Sequence, residues 1–205
     1  MKAKGKTFVV TGGGSGMGQA ITLELIKRGA NVAIGDINLE GMKETFSLAK
    51  VDEKRLKIYE LNITDLKAVE AFKQKVIDDF KAVDGLINNA GIIQPFVDIE
   101  SLEIEKIKRV MDINFNGTLY MTKAFLPHLK SRPEAHLSNT SSMGGFIPFP
   151  GQTAYSASKG AVKMLTEGLN SELQGTNVHV TLIFPGAVNT NITKNSGVEM
   201  KSSPS

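Results

Sequence analysis

The chain has 205 residues, a formal net charge of +3 and 41% hydrophobic residues, enough apolar content for the core of one domain. It contains no cysteine, which excludes disulfides and thiolate metal sites. The charge is too mild to argue for nucleic acid, and no apolar run is long enough for a conventional membrane span.

Lys6–Thr11 is apolar and β-branched and reads as a buried strand. Before it, Met-Lys-Ala-Lys-Gly-Lys has no signal-peptide core, so cytoplasm is the default expectation. After it come Gly12-Gly13-Gly14-Ser15-Gly16-Met17-Gly18 and a helix over Gln19–Arg28 with Ile21, Leu25 and Ile26 apolar. Strand, glycine turn and helix together offer an anion site, because free N–H groups and the helix dipole point at one place. The spacing is Gly-x-x-x-Gly-x-Gly, not the commoner Gly-x-Gly-x-x-Gly.

Asn31–Asp36 reads as a second strand that ends in a carboxylate. An acid about 20 residues past such glycines bonds the ribose hydroxyls of NAD and repels the extra phosphate of NADP. Ser15 and Ile37 stand where a phosphate-binding Arg or Lys would be expected, so Asp36 favours NAD. The alternative is that Asp36 merely caps a helix beginning near Asn38.

Strands then alternate with helices: Arg55–Leu61, Leu66–Phe80, Asp84–Asn88, Ile104–Leu129, Ala135–Thr140, Ala154–Gln174 and Val178–Phe184. This alternation predicts a single α/β domain, a doubly wound parallel sheet of Rossmann type in three α/β/α layers. The domain is expected to span residues 1–193. Residues 194–205, rich in Ser, Lys and Asn, read as a loop or disordered tail, the start of a substrate lid.

Tyr155 and Lys159 lie four apart on the helix Ala154–Gln174 and so share a face. A phenol with a pKa of about 10 is a poor base at neutral pH. A nearby ammonium is expected to draw that pKa down, which suits proton transfer to or from a substrate oxygen. Ser142, at the end of a strand-like stretch, can bring a hydroxyl to the same place. His128, His136 and His179 match no catalytic position and read as structural or exposed.

Six motifs in order make the chain resemble the short-chain dehydrogenase/reductase family over nearly its whole length. They are Thr11, Gly12, Gly16 and Gly18 in the turn; Asn88-Asn89-Ala90-Gly91; Asn114; Ser142; Tyr155 with Lys159; and Pro185-Gly186-Ala187-Val188-Asn189-Thr190. The resemblance implies an oxidoreductase with Asn114, Ser142, Tyr155 and Lys159 as catalytic residues. It implies that Lys159 also reaches the nicotinamide ribose and that Asn114 anchors a water leading from Lys159 to solvent. Asn114 as a plain backbone brace is the other reading. The cofactor residues implied are Gly12, Gly14, Ser15, Gly16, Met17, Gly18, Asp36, Ile37, Asn62, Ile63, Asn89, Ala90 and Gly91. Tyr155, Lys159, Pro185, Gly186, Val188 and Thr190 complete that set, and no metal is expected.

Two features depart from the family pattern. Asn62 stands where relatives carry an acid toward the adenine amino group, and its amide oxygen is expected to accept in its place. The C-terminal helix and strand usual in relatives are not recognised, which would leave the sixth strand at a sheet edge.

The expected substrate wall comprises Gln94, Phe96, Met143, Phe149 and Gln152 around Ser142 and Tyr155, with Ile92, Ile93, Gly144 and Phe146 nearby. It is apolar with two amides and no Arg or Lys, which points to an uncharged, lipophilic secondary alcohol or ketone. Two alternatives stand: an NADPH-dependent 3-oxoacyl thioester reductase, and a nucleotide-binding regulator without catalysis. By resemblance the helices 104–129 and 154–174 are expected to pair in a homodimer or homotetramer.

Overall fold

The computed structural model describes residues 1–188 and 190–198. Six parallel strands stand in the order β3-β2-β1-β4-β5-β6, so the chain winds outward in both directions from β1 and β4. The strands are β1 (Thr7–Thr11), β2 (Asn31–Asp36), β3 (Leu56–Glu60), β4 (Gly85–Asn88), β5 (Ala135–Thr140) and β6 (Val178–Ile183). The helices are α1 (Gly16–Lys27), α2 (Leu39–Ala49), α3 (Leu66–Phe80), α4 (Ile104–Met111), α5 (Thr118–Lys130), α6 (Thr153–Glu172) and α7 (Ile192–Ser196).

Successive strand residues point to opposite faces, and β1 shows the result. Val9 joins a cluster with Leu86, Leu137, Phe72 of α3, Phe125 of α5 and Leu169 of α6. Its neighbour Val10 joins Val32, Ile34, Ile26 of α1 and Met42 of α2 on the other face. Both faces of β1 and β2 are therefore covered, as a parallel sheet requires. β6 is different: among the described residues it is an edge strand, and His179, Thr181 and Ile183 along one of its faces are exposed.

Two expectations from sequence are corrected. The helix expected over Ile104–Leu129 is not uniform, since Asp112–Gly117 forms a wide π-helical turn between α4 and α5. One-turn π segments of this kind are frequent at functional sites, and Asn114 sits in this one. The tail expected to be irregular from Lys194 instead runs in α7 to Ser196, with Ser196 and Val198 buried. The rest of that tail, 199–205, lies outside the described residues, as does Asn189.

The strand order reverses between β1 and β4, and in open α/β sheets this opens a crevice at the carboxyl ends of the strands. The glycine turn after β1, Asp36 after β2 and Asn88-Asn89-Ala90-Gly91 after β4 all gather there.

Candidate active site

The crevice begins at the glycine turn. Thr11 ends β1, and its hydroxyl accepts from the N–H of Asn89 (3.0 Å) and of Ala90 (3.1 Å), tying the turn to the loop after β4. Backbones approach so closely that a Cβ on Gly12 (φ +71°) would lie 2.9 Å from Ala90 Cα. A Cβ on Gly18 would lie 2.0 Å from the carbonyl oxygen of Gly12, so α1 can start here only with glycine. Ser15, the N-cap of α1, makes no side-chain cap bond, and the first turn holds no acid. Its N–H groups and positive dipole end are left to an anion.

Asp36 faces this turn. Its Oδ2 accepts from Gly14 N–H at 2.9 Å and its Oδ1 from Asn38 N–H at 3.0 Å. The cap of α2 is Asn38, which accepts from Gly41 N–H, so Asp36 is not the helix cap. It is a carboxylate held at the crevice wall by two backbone bonds.

The crevice is lined by Gly12, Ser15, Gly16, Met17, Asp36, Ile37, Asn62, Ile63, Asn89, Ala90, Gly91 and Thr190, all expected from the sequence. Gly14, Gly18, Pro185, Gly186, Val188, Tyr155 and Lys159 are not part of its lining; the two glycines shape the turn from behind. Arg109, Ile113, Asn191, Ile192 and Asn195 line it without having been foreseen. A five-residue helix such as α7 has no periodicity to betray it. Yet α7 spans the crevice: Asn195 Nδ2 donates to Ser15 Oγ (2.8 Å), and Ser196 Oγ accepts from Ile93 N–H (2.9 Å). The expected adenine acceptor is corrected as well, because Asn62 Oδ1 already takes two bonds from Thr64, its N–H and its hydroxyl.

These residues fit a dinucleotide. The turn leaves N–H groups for a pyrophosphate, Asp36 offers acceptors to ribose hydroxyls, and the buried Asn89 Oδ1 beside the turn has no partner among the described residues.

Beyond Gly91 the crevice meets the ends of β4 and β5. Lys159 is only 5% exposed, and Nζ donates to the carbonyl oxygen of Thr140 at 2.9 Å. Burial lowers its pKa to about 8. A Cβ on Gly91 would sit 3.1 Å from this nitrogen and 3.2 Å from Asn114 Oδ1. Ser141 Oγ donates to the main-chain oxygen of Lys159 at 2.7 Å, fixing the helix turn from below.

Asn114 is fully buried. Its Oδ1 accepts from Ile92 N–H, and its Nδ2 donates to the Ile92 carbonyl oxygen and to Ser158 Oγ, each at 2.9 Å. Both amide donors are thus engaged, and the π turn aims this side chain as a brace for the loop after Gly91. Deeper still, Asn88 Nδ2 donates to Asn139 Oδ1 (2.8 Å), and Asn139 Nδ2 to Thr166 Oγ1 (3.0 Å). This polar ladder locks β4, β5 and α6 in register beneath the site.

Ser142 follows β5 as the cap of a short 3-10 turn, not as strand, and its Oγ accepts from Gly144 N–H at 3.0 Å. The phenol of Tyr155 is pushed up from its ordinary pKa by burial, against a smaller downward pull from the Ser142 hydroxyl. The expectation that Lys159 lowers the Tyr155 pKa is corrected: the ammonium is turned to Thr140 and burial dominates. Phe96 (49% exposed), Met143, Phe146 and Phe149 (51%) stand open around this point. Gln94 and Gln152 do not; both are buried and bonded to main chain, which corrects their placement on the substrate wall.

Fold and site define a dinucleotide-binding oxidoreductase. The chain belongs to the short-chain dehydrogenase family, whose model matches residues 6–201. It is 36% identical over 197 residues to SadH of Mycobacterium tuberculosis, named as an oxidoreductase, covering 95% of this chain and 71% of that protein. It is 32% identical to the 3-oxoacyl-[acyl-carrier-protein] reductase FabG of Thermotoga maritima, over 95% of this chain and 78% of that one. Among solved structures it matches a short-chain dehydrogenase/reductase of Burkholderia phymatum in complex with NAD. That match has a TM-score of 0.92 and 25% identity, over 100% of this chain and 75% of the other. It also matches the 3-ketoacyl-(acyl-carrier-protein) reductase of Brucella melitensis complexed with NADH. There the TM-score is 0.89 and the identity 29%, over 94% and 80% of the two chains. Among the described residues no helix is long and apolar enough to cross a membrane.

Proposed function

We propose that this oxidoreductase is NAD(H)-dependent and interconverts an uncharged, lipophilic secondary alcohol and its ketone. The observation that carries the reading is the crevice that runs from Asp36, beside the glycine turn, to Gly91, next to which lies Lys159 Nζ on the helix of Tyr155. The bound nicotinamide supplies the hydride acceptor or donor, and the protein orients it. Ser142 Oγ holds the substrate oxygen and stabilises charge that develops on it. Tyr155 gives a proton to that oxygen in the ketone direction and takes one from it in the alcohol direction. Its raised pKa keeps the phenol protonated at neutral pH, the state that donates. The proton-taking direction calls for positive charge near the phenol, which the oxidised nicotinamide ring would bring when bound. Asn114 holds the loop that carries Gly91 and Ile92, and in this reading it also adjoins the proton's way out past Lys159.

The open wall of Phe96, Met143 and Phe149 supports a lipophilic substrate. It suits a 3-oxoacyl thioester too, and the relatives from Thermotoga maritima and Brucella melitensis bear such names. Asp36 speaks against the NADPH form of that activity. Fluorescence titration with NADH and NADPH, followed by turnover of secondary alcohols and of a 3-oxoacyl thioester, tests the reading. Tyr155→Phe should cut turnover by about a hundredfold or more while NADH still binds. Retained activity in that variant would remove the assigned proton transfer, and failure to bind either nucleotide would remove the enzyme reading altogether.

A further inference from the structure

The helix that carries Tyr155 has no cap of its own. Its N-cap residue, Gln152, makes no side-chain bond to the first turn. The first N–H groups of any helix find no carbonyl one turn back and need partners from elsewhere. The N–H of Tyr155 finds one 61 residues away in sequence: it donates to Oε1 of Gln94 at 2.9 Å. The same amide donates from Nε2 to the carbonyl oxygen of Gly151 at 2.8 Å. Gln152 completes the clasp, with Nε2 donating to the main-chain oxygen of Gln94 at 2.8 Å.

Gln94 is 0% exposed. A buried amide bonded at both ends is confined to one orientation, and removing it would strand a donor and an acceptor in a dry place. Gln94 also stands at a junction. Gly91, three residues before it, faces Lys159 Nζ at the end of the crevice, and Phe96, two residues after it, opens onto the apolar wall. Ile92, between them, is held by Asn114. One short segment thus touches the cofactor crevice, the substrate wall and the base of the catalytic helix.

We infer that Gln94 is a positioning residue for the reaction, capping the Tyr155 helix from the loop between crevice and substrate wall and so fixing where the phenol stands. The inference rests on Tyr155 as the proton-transfer group. Gln94 acts only through Tyr155 and touches no reacting atom, so the clasp transmits any displacement of the Phe96 loop to the phenol.

The chain has three tyrosines and no tryptophan, so tyrosinate absorbance is free of indole background. The difference between the protein and Tyr155→Phe isolates the Tyr155 titration. Gln94→Met removes both amide bonds at similar volume, whereas Gln94→Glu keeps an acceptor for the Tyr155 N–H. In Gln94→Met the first turn should loosen and water should reach the phenol, moving its titration down by about half a unit or more. Gln94→Glu should hold it at or above the wild-type position, and NADH affinity should stay within about threefold in both variants. A Tyr155 titration unmoved in Gln94→Met would overturn the proposal, leaving Gln94 as a loop brace. Should Gln94→Met not fold, amide hydrogen exchange in the unaltered protein decides. The Tyr155 N–H should then be protected like that of Ser156, which bonds within the helix to Gln152, and rapid exchange at Tyr155 would overturn the cap. Neither measurement involves turnover, so an active Tyr155→Phe would remove the proton-transfer role without changing what they report.

Discussion

Lys159 donates its ammonium proton to a carbonyl oxygen, that of Thr140 at 2.9 Å, and not to a carboxylate. Burial alone drives its pKa to about 8 from 10.5. The folded state therefore prefers the neutral amine, and the stability this brings is present above about pH 10.5 and lost as pH falls through about 8. At neutral pH the buried charge is a cost. Lys159→Met should raise the unfolding free energy at pH 7 by roughly 1–3 kcal/mol, read as a higher urea midpoint, while disabling turnover. Its advantage over the unaltered protein should shrink as pH rises beyond 8. A Lys159→Met variant less stable at pH 7 would show that the Thr140 bond outweighs desolvation.

Asp36 has two tasks in the crevice, and its replacement should reveal both. Without the carboxylate, the repulsion of a 2′-phosphate is lost, so Asp36→Ala should narrow the preference for NADH over NADPH by about tenfold or more. The same change frees the N–H groups of Gly14 and Asn38, so NADH itself should bind more weakly. Competitive fluorescence titration measures both numbers. Equal affinity for the two nucleotides before any mutation would end the argument from Asp36.

His128 Nε2 accepts from the backbone N–H of Val83 at 3.0 Å, which only the neutral ring can do. Burial lowers its pKa, with a further push from Arg132; burial also lowers that of His136, with His179 adding to it. Both folded values lie below the ordinary 6.5. The stability they carry is complete above that pH and is lost as pH falls through the folded values. Urea midpoints should therefore decline below about pH 6.5. His128→Gln, which keeps an acceptor for Val83, should flatten part of that decline. An unchanged slope in His128→Gln would assign it to other groups.

Helix α6 turns Val162 and Leu169 into the core but leaves Met164 64% exposed at mid-helix. An apolar side chain there suits pairing of the helices 104–129 and 154–174 with their mates across a two-fold axis. Light scattering at micromolar concentration should give a homodimer, and Met164→Asp should drive it toward monomer. A monomeric unaltered protein would remove the helix-pair argument.

Much of the fold was legible because its signals are local. β2, α3 and β5 fall where the apolar patterns of Asn31–Asp36, Leu66–Phe80 and Ala135–Thr140 put them. The glycine turn was legible for the same reason, since a position where a Cβ would come within 2.9 Å of Ala90 Cα leaves its mark as glycine. What stayed hidden was set by contacts distant in sequence. Nothing around Gln94 announces a bond to the N–H of Tyr155, and an amide beside apolar residues reads as readily for a ligand contact as for a brace. The direction of Lys159 was hidden too. Spacing of four places two residues on one helix face, but the carbonyl of Thr140 decides where the ammonium points. The Ser and Asn content of α7 mimicked a tail because its anchors, Ser15 and Ile93, lie on other elements.

The wide turn at Asp112–Gly117 amounts to one residue more than a regular helix would hold over the same rise. Excising a single residue there would let α4 and the first turns of α5 join in regular α-helical bonding. Because the surplus residue is taken up within the turn, its loss would leave the flanking helices in place and re-aim only the side chains of the turn, by about 100°, the advance of one residue of an α-helix. Asn114 would then face away from Ile92. A single-codon loss in this helix is thus a path by which a descendant keeps its architecture and gives up the support beneath its site.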